Sequence, residues 1–238
     1  MISGQKLLRA TLVVENRVRS HRFIPSWGLS IFIEMDNKNL LFDVGPSYDV
    51  LAANAKELGV DLENIDAVFI SHWHGDHYGA LHTLLKYIKE RKGKEIPVYT
   101  PSPGGLPNEV PCKPKQYVLN IGFSTGPLGF GIREHSLVIP VASNRIAVFV
   151  GCSHPGIDEI LSRAIELSNA SEIELVMGGL HIGPHEADYV ASAMKAYNVK
   201  RLVPAHCTSD DAIEILKEEL RGICEVIEPS VGLTIRVV

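Results

Sequence analysis

The chain has no run of about 18 or more apolar residues, so no transmembrane helix and no membrane partner are expected. It has no basic excess: the formal charge is −5 with histidine neutral, and no nucleic-acid partner is expected. Only four cysteines occur in 238 residues (Cys112, Cys152, Cys207 and Cys224), and no two form C-x-x-C. A chain this long does not need disulfide staples, so the thiols are expected to be reduced and the protein cytoplasmic. The first residues, Met1-Ile2-Ser3-Gly4-Gln5-Lys6, lack the charged start and apolar stretch of a signal peptide, which fits that location. Composition is otherwise ordinary for a soluble globular chain. The length suffices for one substantial core, and residues 1–238 are expected to form a single domain.

Strand-type apolar runs recur at 10–14, 29–33, 40–42, 67–70, 137–139, 146–150, 175–177, 201–203 and 233–237. They are rich in β-branched and aromatic residues, which suit a pleated, half-buried surface. Asp36-Asn37-Lys38-Asn39 between the second and third runs predicts a hairpin turn. Helical stripes lie between later runs. Leu81, Leu84, Leu85 and Ile88 form one, ended by Gly93. Ile157, Ile160, Leu161 and Ala164 form another, with Pro155 in a first turn. Val190, Ala193, Met194 and Tyr197 form a third. A fourth holds Ile213, Leu216 and Leu220, capped by Thr208 or Ser209 and followed by Gly222. Strands come first, then strands alternate with helices, which predicts sheets covered by helices. Residues 101–116, rich in proline and glycine, read as a long loop near the functional site.

What the chain does have is histidine, ten in all, most of them in two short stretches. His72, His74, Asp76 and His77 fall within six residues, directly after the run 67–70. Alternate positions 72 and 74 can point the same way on an extended turn. Asp76 and His77 follow where the chain bends into a helix, and Gly75 permits the tight backbone. Imidazoles with one carboxylate suit zinc, and iron or manganese accept similar sets. Single loop histidines are ordinarily just solvated, but this spacing is hard to explain that way. Three later histidines also follow strand runs: His154, His181 and His206. Ligands in α/β proteins gather at such carboxyl ends. His82 reads as an exposed helix residue.

The motif His72-x-His74-x-Asp76-His77 resembles the signature of the metallo-β-lactamase superfamily, and Leu40-Leu41-Phe42-Asp43-Val44-Gly45 resembles its first motif. The segments 26–30, 151–157, 178–181 and 204–208 narrow the likeness. They are similar to a branch around 7,8-dihydropterin-6-methyl-4-(β-D-ribofuranosyl)aminobenzene 5′-phosphate synthase and related metal-dependent hydrolases. The resemblance implies an αββα sandwich with two divalent ions at one end of the sheets, zinc first, with manganese or iron as alternatives. It assigns His72, His74 and His154 to one ion, and Asp76, His77 and His206 to the other. Asp43 would orient ligands from behind. Asp76 and His181 are the catalytic candidates, His181 as a general acid, a substrate contact or a further ligand. His77 is expected at the rim of the site.

The chain departs from the superfamily pattern at one point. Where an aspartate bridges both metals, this chain reads Val150-Gly151-Cys152. Cys152 as a thiolate, His154, or a bridging hydroxide alone are the open replacements. His135, in Glu134-His135-Ser136, is not counted as a ligand.

The expected function is a dinuclear metal-dependent enzyme acting on an anionic small molecule, phosphate-bearing or pterin-like. It would hydrolyse that molecule or join two such pieces. The alternatives are a di-iron redox protein, which ordinarily needs an extra flavin domain, and a non-catalytic metal-dependent binding module. Secondary signals have plainer readings: Cys207 as a packed thiol, Trp27 and Trp73 as core or stacking aromatics, Thr208 and Ser209 as caps, and Arg17, Arg19, His21 and Arg22 as a solvated stretch.

Overall fold

The computed structural model describes residues 7–142 and 144–238; the start read above as lacking a leader, Met1–Lys6, lies outside them. Fourteen strands form two seven-stranded sheets among these residues. The first sheet contains β1 (Leu8–Val14), β2 (Ser30–Met35), β3 (Lys38–Phe42), β4 (Ala67–Phe69), β5 (Val98–Thr100), β6 (Glu109–Pro111) and β14 (Thr234–Val237), in the order β14-β1-β2-β3-β4-β5-β6. The second contains β7 (Tyr117–Val118), β8 (Gly122–Ser124), β9 (Leu137–Ala142), β10 (Arg145–Val150), β11 (Glu172–Gly179), β12 (Arg201–Ala205) and β13 (Glu225–Val226), in the order β13-β12-β11-β10-β9-β8-β7.

The period-2 alternation of the strands explains the layering. In β3, Leu40 and Phe42 enter the core between the sheets, while Leu41 faces outward to the helices. In β10, Ala147 and Phe149 enter the same inner core, and Ile146, Val148 and Val150 face the other helical layer. Both faces of each sheet are therefore covered, which is why these strands read as nearly continuous apolar runs. Helices α1 (Tyr48–Leu58) and α3 (Leu81–Lys92) cover the first sheet, and α4 (Ile157–Ser168), α5 (Ala187–Ala196) and α6 (Asp210–Glu219) the second. The result is the expected αββα sandwich. Phe42, Phe69 and Phe149 stack through its middle, with ring centroids 5.3 and 6.3 Å apart.

Local signals act largely as expected. Asp36 and Asn37 both take positive φ (51° and 59°), the two-residue turn whose twist matches a hairpin. Gly93 ends α3 in the left-handed conformation. Ser209, not Thr208, caps α6; Thr208 is buried and accepts the Leu180 N–H instead. Pro155 lies outside α4, which starts two residues later after Gly156. The 101–116 segment contains the edge strand β6, so it is less of a free loop than its composition implies.

The strand ends place the chemistry. The carboxyl ends of β3, β4, β10, β11 and β12 deliver Asp43, Ser71–His77, Cys152–His154, His181 and His206–Cys207. The short helix α2 (Gly75–Tyr78) turns the chain just after β4.

Candidate metal centre

The structure gathers His72, His74, Asp76, His77, His154 and His206 into one site. His72 Nε2 lies 3.1 Å from His74 Nδ1, and the His154 ring sits 4.8 and 5.0 Å from these two rings. Beside this trio, Asp76 Oδ2 lies 3.1 Å from His206 Nε2 and 3.9 Å from His77 Nε2. The His72 and His77 rings are 4.2 Å apart, so the two trios are neighbours. His181 is exposed and stands 4.8 Å from His154, at the outer side of the first trio.

Hydrogen bonds from behind settle how these rings face. Asp43 is buried and accepts three bonds: Ser71 N–H at 2.8 Å, Ser71 Oγ–H at 2.7 Å and His77 Nδ1–H at 2.7 Å. Ser71 Oγ has then spent its proton and can only accept from His72 Nδ1–H, 3.0 Å away. Both rings are thereby held with Nδ1 protonated and the Nε2 lone pair turned into the site, as metal-ligating histidines require. His77 is fully buried rather than at the rim, because its Nδ1 must reach Asp43.

Burial and the neighbouring imidazoles push His72 far below the ordinary histidine range. Burial, with His181 and His74, holds His154 down to about 4. Contact with His206 keeps Asp76 ionised well below its usual range. For His77, burial opposes charge, but Asp43 outweighs it and raises the imidazole. Near neutral pH, then, His72 and His154 are lone-pair donors and Asp76 is a carboxylate.

The donor set fits a cation. His154 Nε2 and His206 Nε2 are buried with no hydrogen-bond partner, and the approach of Asp76 to His206 lacks hydrogen-bond alignment. Buried polar atoms are ordinarily satisfied, so two such orphans aimed at one cluster call for a ligand. The 3.1 Å separation of His72 Nε2 and His74 Nδ1 is close to the edge of about 3.3 Å expected for tetrahedral Zn–N bonds of about 2.0–2.1 Å.

Sequence reasoning missed three supports. Glu134 is fully buried and its carboxylate accepts four consecutive backbone N–H groups: Gly151, Cys152 and Ser153 at 3.1, 3.0 and 2.9 Å on one oxygen, and His154 at 3.0 Å on the other. Burial raises its carboxyl, and these donors oppose the rise. Glu15 accepts the His206 N–H at 2.7 Å, and Asn16 Nδ2 donates to the His206 carbonyl at 2.8 Å. This clamp holds His206 at φ 50°, a left-handed conformation that costs energy in a non-glycine residue. Arg17 anchors Glu15 and also bonds Asp210 and the Thr208 carbonyl. The stretch beginning at Arg17 is thus partly a brace, not only a solvated loop. The one available signal was Glu15 itself, an acid directly after an apolar strand.

The other residues singled out in the sequence divide between structural and solvent-facing places, and Trp27 is not a core aromatic. His135 donates from Nε2 to the Ile70 carbonyl, accepts from Ser124 and stacks on Phe69 at 4.0 Å, so it is structural. Trp27 is 61% exposed yet packs edge-on against His206 at 4.9 Å. Trp73 donates to the Ser102 carbonyl at 3.1 Å, which brings the 101–116 segment to the residue between His72 and His74. Cys152 is buried, with Sγ 3.2 Å from His77 Nε2; Cys207 donates to that sulfur at 3.3 Å. The Cys207 contact and burial push the Cys152 thiol well up. His82 is exposed on α3.

A profile of the metallo-beta-lactamase superfamily matches residues 28–206, spanning every residue of both trios. The chain belongs to that superfamily. Among curated relatives it is 25% identical to the 7,8-dihydropterin-6-methyl-4-(beta-D-ribofuranosyl)-aminobenzene-5′-phosphate synthase of Methanocaldococcus jannaschii, over 83% of this chain and 87% of the relative. Among solved structures it superposes on Tm1679, a metal-dependent hydrolase of the beta-lactamase superfamily, with a TM-score of 0.74 and 24% identity over 96% of this chain and 98% of that one. The metallo-beta-lactamase fold protein YhfI from Bacillus subtilis follows at 0.69 and 14%, over 97% and 99%. Membership of the superfamily implies divalent metal binding, and among the described residues no helix is long and apolar enough to cross a membrane.

Proposed function

We propose that this superfamily member is a dinuclear metal-dependent enzyme acting on a phosphate-bearing or pterin-like small molecule. His72, His74 and His154 would hold one ion, and Asp76, His77 and His206 the other. The observation that carries the reading is the pair of orphaned, buried Nε2 atoms, one in each trio. Zinc is the preferred metal for a set rich in imidazole. Two such ions, when bound, would supply Lewis acidity towards a phosphate or ester oxygen and the attacking group.

The chain's own residues do the rest. Asp43 and Ser71 keep two imidazoles in one tautomer, so the ligand lone pairs are set before substrate arrives. Asp76, ionised at neutral pH, balances cationic charge and can hold a proton-bearing nucleophile by accepting its hydrogen. His181 is the exposed imidazole of the cluster and can pass a proton to a leaving group. Trp27 offers a solvent-facing ring beside His206, suited to the flat face of a pterin. The relative named as a dihydropterin–aminobenzene synthase supports that substrate class. Hydrolysis and condensation use the same arrangement and differ in what attacks.

The test is metal analysis of protein purified without chelators, with turnover assays on phosphodiester and dihydropterin substrates. Two divalent ions per chain and turnover of one class are expected. A stoichiometry that stays at zero after reconstitution with zinc, manganese or iron would sink the proposal.

A further inference from the structure

Among the described residues, Cys152 Sγ is common to three potential ligand groups: with His72 and His154, with His77 and His206, and with His181 and Cys207; the donor atoms in each lie within 4.8 Å of one another. Among the described residues, no carboxylate belongs to either of the first two groups. The sulfur is therefore placed between the two trios, where the superfamily pattern expects a bridging aspartate and this chain has none. Sulfur can fill the position: two zinc–sulfur bonds of about 2.3 Å span the roughly 3.5–4 Å between ions of a dinuclear centre.

Two glycines make room for it. A Cβ at Gly151 would lie 2.2 Å from Ser71 Oγ and 3.0 Å from His72 Nδ1. A Cβ at Gly179 would lie 2.4 Å from the Gly151 carbonyl and 2.7 Å from Cys207 Sγ. The backbone of β11 can thus approach the 151–152 turn closely enough to seat Cys207 behind Cys152. Cys207 is oriented there from both sides: its sulfur accepts the His181 N–H at 3.1 Å, and its thiol donates to Cys152 Sγ at 3.3 Å. The four N–H bonds of Glu134 fix the turn itself.

We infer that Cys152 bridges the two metal ions as a thiolate, with Cys207 as a positioning residue that hydrogen-bonds the bridging sulfur. The inference rests on the dinuclear reading above and adds a metal preference to it. A thiolate bridge favours zinc, cobalt and cadmium over the harder manganese and magnesium. Binding exchanges the Cys152 thiol proton, released to solvent, for two metal–sulfur bonds.

The experiment is cobalt(II) substitution of the metal-depleted protein, read by metal stoichiometry and near-ultraviolet absorption. Wild type is expected to bind two cobalt ions and show a thiolate-to-cobalt charge-transfer band. Cys152→Ser, close to isosteric and checked for folding by circular dichroism, should lose the band. Cys152→Asp should keep two ions without the band and shift retention from zinc towards manganese. Cys207→Ser should keep the band and weaken metal affinity by about tenfold, as expected for a group acting from behind a ligand. Two bound cobalt ions with no band in wild type would overturn the thiolate bridge and leave the dinuclear reading standing. So would a band that survives in Cys152→Ser and vanishes in Cys207→Ser. No bound metal in wild type would overturn both.

Discussion

Replacing Glu134 by glutamine keeps the shape of the side chain and removes one acceptor. One carboxylate oxygen takes three N–H groups and the other takes His154 N–H. In either orientation the amide puts an NH2 against at least one backbone N–H. The better orientation sacrifices the His154 bond and turns three charge-assisted bonds into neutral ones. A bond to a charged acceptor contributes about 1.5–3 kcal/mol, against about 0.5–1.5 for a neutral pair. The cost of burying a charge, which raises the Glu134 carboxyl, is relieved at the same time and offsets part of the loss. A net destabilisation of roughly 2 kcal/mol is expected. For a chain of this length that is a fall in Tm of about 4–8 °C. The assay is thermal unfolding of the metal-free protein, followed by zinc titration. The same turn carries Cys152 and His154, so affinity should fall with stability. A Tm within a degree of wild type and unchanged zinc affinity would refute the argument that Glu134 holds the turn.

Four further outcomes are expected. His77→Ala should abolish activity and also lower stability, since it strips Asp43 of one of its three donors in a fully buried position; chemical denaturation measures the second effect, and an unaltered midpoint counts against the Asp43 relay. Trp27→Ala should raise KM by about 2–10-fold with metal content unchanged, the range expected for one lost aromatic stack. Gly104→Ala would put a Cβ 2.3 Å from the Trp73 ring, so it should shift Trp73 fluorescence and alter substrate preference more than metal content. Metal-free protein should lose stability as pH falls: burial holds His135 down to about 3, so the unfolded chain binds that proton first, from about pH 6.5. The slope from this group approaches 1.4 kcal/mol per pH unit between those values, and urea titrations at pH 7 and 5 with His135→Phe as the flatter comparison measure it.

The candidate site was legible where its residues are local in the sequence. His72, His74, Asp76 and His77 announce themselves because their spacing has no ordinary helical or strand explanation. His154, His181 and His206 were readable because each follows an apolar run at its carboxyl end. The braces were not, because nothing local marks them: Glu15 meets His206 across 191 positions, and Glu134 meets Cys152 across 18. Helix α1 escaped notice since its buried face is small, resting on Leu51, Asn54 and Ala55 rather than a stripe of large residues. The short strands β5 to β8 and β13 are two or three residues long, too brief for alternation to show. Trp27 was ambiguous until its exposure was known, as an aromatic before a glycine fits a core equally well.

Each trio draws on both halves of the chain: His72 and His74 with His154, and Asp76 and His77 with His206. The first members follow the first sheet, the last follow the second. Ions held this way would act as rivets across the seam between the two layers, beside the hydrogen bonds of Glu15 and Asn16 to His206 and of His135 to Ile70. Metal supply then becomes a folding variable. At a free concentration of 100 times Kd a single bound ion stabilises the native state by about 2.7 kcal/mol. Starved of metal, the seam should open at this end before the Phe42–Phe69–Phe149 stack gives way, and amide exchange at Ser71 and Cys152 would accelerate first.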